Sequence, residues 1–143
     1  GFGQRWFQFT KLDGSTYTVG FCAGKVYTLN WGSNTTTEIL TAAELLSAGV
    51  VIDPLARVYC AIMADTLVVS DGVHQPWQWD GTAHAGVTLM SNCPVLYGQP
   101  VVYYAKLVGI KNSEPNTLVW SEEAQPNQRY RAPDWGLPFS AAH

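Results

Sequence analysis

Apolar and polar residues alternate along this chain in short runs, and turn-forming residues separate the runs. The clearest stretch is Leu67 to Thr82, Leu-Val-Val-Ser-Asp-Gly-Val-His-Gln-Pro-Trp-Gln-Trp-Asp-Gly-Thr. Its β-branched run ends at Ser70-Asp71-Gly72, a turn signal. Pro76 opens a second short run, Trp77-Gln78-Trp79, which Asp80-Gly81 closes. Strand, polar loop, aromatic strand and Asp-Gly turn together predict antiparallel β structure.

The rest of the chain follows the same grammar. Gln4–Thr10, Thr16–Cys22, Val26–Asn30 and Thr35–Leu40 are predicted strands, with a hairpin turn at Asp13-Gly14. Thr41-Ala-Ala-Glu44 is a capping box, so a short helix is predicted over Ala42–Ala48, ended by Gly49. Strands follow at Val58–Ala64, Leu67–Ser70, Trp77–Trp79 and Val87–Met90. Pro94–Pro100 carries no clear pattern. Val101–Tyr104 and Leu107–Ile110 read as a hairpin around Ala105-Lys106, and Thr117–Trp120 as a last strand. Residues 124–143 hold three prolines and read as an extended C-terminal tail.

Small-polar turns followed by apolar strands recur. Val26, Leu67 and Leu107 lie 41 and 40 residues apart. A period of about 40–45 residues with four strands per unit is the pattern of a β-propeller blade. The fold class expected is therefore all-β: antiparallel meanders with a period near 41, propeller-like, with three to four blades or an incomplete propeller, and one short helix. The 143 residues suit a single domain. A closed propeller needs more blades than they supply, and residue 1 is Gly. The chain is thus expected to be a fragment, or part of a larger assembly.

Composition sharpens this picture in two ways. Charged residues are only 13% of the chain, about half the usual ~25%, so part of the surface is expected to lie against something else. The net charge of −3, with scattered Lys and Arg, argues against a nucleic-acid-binding face. Cys22, Cys60 and Cys93 sit beside apolar residues and read as free thiols, as in a protein made in a reducing cytoplasm. No segment reaches the ~18 apolar residues of a membrane span.

Candidate chemistry is sparse. Asp71, His74, Asp80 and His84 fall within fourteen residues, but their spacing matches no zinc motif, and both aspartates have turn roles. Glu114, Glu122 and Glu123 lie in polar loops, and no Gly-x-Ser-x-Gly elbow is present. No catalytic site, metal or cofactor is expected. Trp77 and Trp79 share one face of their strand. With Tyr103 and Tyr104 they are the candidate aromatic interaction face, the alternative being inter-sheet core.

At Leu67–Thr82 and Asn116–Pro126 the chain resembles β-propeller-type virion proteins of tailed bacteriophages. The residues that carry the resemblance are Val68-Val69-Ser70-Asp71-Gly72, Pro76-Trp77, Trp79-Asp80-Gly81-Thr82, and Thr117-Leu118-Val119-Trp120-Ser121-Glu122 with Pro126. It covers roughly Val58 to Trp135. It implies a non-enzymatic structural protein of the head–tail connector, tail nozzle or tail hub. Such a protein forms a ring of copies with other virion proteins, is assembled in the host cytoplasm, and has a lumen that lets DNA pass. The runner-up is a carbohydrate- or receptor-binding module with an exposed aromatic face, although glycan is not the expected partner.

Overall fold

A computed structural model describes residues 3–131. It is mostly antiparallel β, 48% strand and 5% helix, in three small sheets. The first sheet is a meander of β1 (Gly3–Thr10), β2 (Thr16–Cys22), β3 (Lys25–Asn30) and β4 (Thr35–Leu40). Helix α1 (Ala42–Ser47) follows. The second meander holds β5 (Tyr59–Met63), β6 (Thr66–Ser70), β7 (Trp77–Trp79) and β8 (Val87–Leu89). The third holds β9 (Leu96–Tyr103), β10 (Lys106–Lys111) and β11 (Leu118–Trp120). No closed barrel is formed among the described residues.

The second sheet lies between the other two. Cys60, Leu67, Val69, Trp77 and Trp79 share one of its faces by register, and they pack with Phe9, Val19, Phe21 and Val26 of the first sheet. Ala61, Met63 and Val68 share the opposite face and pack with Leu96, Leu107 and Val119 of the third. A strand covered on both sides loses its polar alternation. That is why β6 reads as a continuous apolar run, with Leu67, Val68, Val69 and Ser70 all buried.

Turn chemistry is where sequence and structure agree most closely. The hairpins at Ala23-Gly24, Ala64-Asp65 and Tyr104-Ala105 are all two-residue turns with both central φ angles positive, from +48° to +75°. Their twist matches that of the strands they join. The third turn sits one residue earlier than expected, so Tyr104 is a turn residue and not the end of a strand. The 41-residue spacing survives as turn chemistry rather than as a repeat of whole sheets. Ala23-Gly24 joins the second and third strands of its sheet, whereas the other two turns join first and second strands. The extra strand β1 and helix α1 put the first sheet out of phase.

Pro94–Pro100, which showed no pattern, is largely strand. β9 begins at Leu96, and a bulge opposite Gly109 includes Gly98 at φ +71°. β9 is an edge strand, where a proline without an N–H is tolerated. Beyond β11 the chain turns back: Glu122 bridges to Gln125 and Trp120 to Arg131. The remainder of the expected tail lies outside the described residues.

The capping box forms as expected. Glu44 donates its amide to Thr41 Oγ1 at 3.1 Å, and Thr41 donates its own to Glu44 Oε2 at 3.0 Å. Leu45 is thereby held in the core. Thr41→Ala is expected to cost about 1 kcal/mol, read as a lower urea midpoint with an unchanged m-value. An unchanged midpoint would show that packing alone holds α1.

Candidate functional site

The four residues of the sequence-derived aromatic face part company. Trp77 and Trp79 are core residues, fully covered by the first sheet. No ligand reaches them, which corrects their placement on an interaction face. Trp79 stacks at 6.0 Å from Phe9 and 6.1 Å from Tyr17, and its indole N–H donates to the carbonyls of Thr82 and Ala85. Tyr103 and Tyr104 stand in solvent at the β9–β10 turn, edge to face at 4.5 Å. Tyr104 is 78% exposed and left-handed at φ +48°, a conformation that a bulky residue seldom takes.

The polar cluster is also divided. Asp71 pairs with His74 at 2.8 Å and receives the amides of Asp53, Val73 and His74. Burial alone pushes its carboxyl up, but the bonds from His74, Asp53 and Val73 together hold it below the usual carboxylate value. His84 pairs instead with Glu44 at 2.9 Å. Asp80 accepts the amide of Thr82, which closes its own turn. Among the described residues no three His, Cys, Asp or Glu side chains converge as metal ligands.

The thiols offer no nucleophile at Cys60 or Cys93. Both are free and buried, and burial pushes each up to about 12. The reactive thiolate is therefore nearly absent at neutral pH. Cys22 is half-buried rather than buried as its neighbours led one to expect.

What remains are the two outer faces of the three-sheet stack, and they differ in chemistry. On the third sheet, register aligns Val101, Val108 and Trp120 in one row and Tyr97, Ile110 and Leu118 in the next. Paired residues share a face, so these six side chains form a continuous apolar patch, bordered by Lys106, which pairs with Tyr103, and by Arg131, which pairs with Trp120. Tyr97 is 63% and Val101 52% exposed. On the first sheet, Trp6, Gln8, Thr10, Thr16 and Thr18 share the outer face, with Trp6 lying over Gly20. Trp31, from the β3–β4 loop, reaches the same side and donates its indole N–H to Thr18 Oγ1 at 2.9 Å.

Among the described residues, Trp6 and Trp31 are exposed tryptophans that the sequence reading missed. The available signal was their setting: each stands among polar residues, whereas Trp77 and Trp79 flank a glutamine within an otherwise buried sheet. No protein-family model, curated protein or solved structure matches this chain.

Proposed function

We propose that this chain is a non-enzymatic building block that assembles through the outer face of its third sheet. The observation that carries the reading is the apolar double row Val101–Val108–Trp120 and Tyr97–Ile110–Leu118. An exposed apolar patch with a charged rim marks an association surface. Its occupant is a second copy. Within the chain, each sheet-to-sheet contact is already made by such faces, so a further copy continues the stack. A heterologous contact of this kind closes into a ring when its rotation allows.

On this reading the three meanders are blades of an open, propeller-like array. Their first strands lie nearest one another: Gln99 of β9 donates to the Cys60 carbonyl of β5 at 2.7 Å. Together with the resemblance at Leu67–Thr82, this supports a ring component of a tailed-phage virion, in the tail or head–tail region. The net charge of −3 suits a lumen through which DNA passes without binding.

The test is light scattering over a concentration series. The wild-type chain is expected to grow to a discrete oligomer. Tyr97→Glu with Val101→Glu, both exposed, is expected to weaken association at least about tenfold with an unchanged urea midpoint, because each buries a charge in an apolar contact. A strict monomer at every concentration sinks the proposed contact.

A further inference from the structure

The first sheet carries an open cleft of about 530 Å³ beside Trp31, within the size range of small-molecule sites. Gln8, Thr16, Thr18 and Trp31 line it on the outer side of the sheet, with Asn30 at the end of β3, while Thr28 and Thr37 reach it from the inner side, where they pair with each other and Thr28 with Val19; none of the lining residues is charged. We infer that this cleft is a binding site for a neutral saccharide, with Trp31 as the stacking platform and the threonine and amide groups as hydrogen-bonding partners.

Trp31 is 72% exposed yet held in place. Its indole N–H donates to Thr18 Oγ1 at 2.9 Å, and the Thr18 hydroxyl donates in turn to Gln8 Oε1 at 3.2 Å. The loop beneath the ring is fixed in turn. Asn30 Oδ1 accepts the amides of Gly32 at 2.9 Å and Ser33 at 3.2 Å, and the hydroxyls of Ser33 and Thr35 meet at 2.7 Å. The ring is therefore preorganised, and a ligand bears little of the ordering cost. With the N–H bonded to Thr18, what the ring has left to offer a ligand is its π surface. That face carries negative charge density and attracts weakly positive C–H edges. One side of a pyranose is such a surface, and its rim of hydroxyls suits side-chain hydroxyls and amides.

Charge narrows the class further. The lining holds no Lys or Arg, so phosphate and carboxylate groups find no counter-charge. It holds no Asp or Glu either, so cationic ligands gain nothing. A nucleic acid or an acidic glycan is thereby disfavoured, and a neutral polyol remains. Trp6 lies on the same face, outside the cleft lining. The site lies on the outer face of the first sheet, the face that a head-to-tail stack would bring against the next copy's third sheet, so saccharide and neighbouring copy compete for it.

The experiment uses the full chain and a panel of neutral oligosaccharides, namely the hexamers of glucose, mannose, galactose and N-acetylglucosamine, with hexagalacturonate as the charged control. Binding is read by calorimetry and by tryptophan fluorescence. At least one neutral hexamer is expected to saturate the site in the micromolar to millimolar range, with no binding of the charged control. Trp31→Ala is expected to weaken that binding by about tenfold or more, from the loss of one stacked ring. Thr18→Val, which releases the indole without removing it, is expected to weaken it severalfold. An unchanged urea midpoint for Trp31→Ala keeps the test separate from folding. No saturable binding of any neutral hexamer at millimolar concentration overturns the inference, as does binding that survives Trp31→Ala. Concentration-dependent self-association lost in Trp31→Ala would show that the face is filled by another copy, and would overturn it too.

Discussion

Replacing Trp79 by alanine is expected to lower the stability of this chain by about 3–5 kcal/mol, the range for truncating a large aromatic in a packed core. Trp79 is 0% exposed, and it is the point where the first and second sheets meet. Three losses add up there. The transfer energy of the indole goes first. A cavity then opens between Phe9 and Tyr17, which cannot close it without moving β1 and β2. Finally, the carbonyls of Thr82 and Ala85 lose their donor. Trp79→Phe separates these effects. It keeps an aromatic ring but removes the N–H together with part of the indole volume, so the expected loss is about 1–3 kcal/mol. Urea unfolding followed by far-UV circular dichroism measures both. A loss below about 1 kcal/mol for the alanine variant would falsify the proposed contact between the first two sheets, because no well-packed core yields so little.

Asp71→Ala is expected to cost about 3 kcal/mol, and here the reason is polar. The Asp71 carboxylate gathers three backbone amides and the His74 ring, and so ties the segment at Asp53 to the turn after β6. Hydrogen bonds to a charged group contribute about 1.5–3 kcal/mol each, and they do not sum fully in one network. Alanine leaves those partly buried donors without their acceptor. Asp71→Asn keeps the shape, loses the charge, and is expected to be milder.

The same carboxylate carries a pH signature. Its native-state value lies below the ordinary carboxylate value of 3.8. Its contribution is therefore complete above that value and is lost as pH falls through the lower native value. The stability gap between wild type and Asp71→Asn should persist down to about pH 4, then close as pH falls below 3.8. A gap unchanged at lower pH would mean that the carboxylate is not the group that holds the turn.

The local elements of this chain were legible in its residues because their causes are local. Asp13-Gly14, Ala23-Gly24 and Asp80-Gly81 supply residues that accept positive φ. Thr41 and Glu44 satisfy the helix start from three residues apart. The apolar run Leu67–Val69 marks a strand with no solvent side. Pro94–Pro100 was illegible because a bulge and an edge position, both set by pairing with β10, let two prolines and a glycine flank and enter a strand.

The aromatic sites divide along the same line. Alternation placed Trp77 and Trp79 on one face, and that holds. Which face is covered does not follow from alternation, since it depends on the order in which the sheets stack. The second sheet lies in the middle, so both of its faces are buried and its tryptophans become core. The first and third sheets lie outside, so Trp6, Trp31, Tyr97 and Val101 meet solvent. Strand, turn and helix were thus determined by the chain's own neighbours in sequence. Core, contact face and cleft were decided only in the tertiary structure, because burial is a property of what packs against a side chain rather than of the side chain itself.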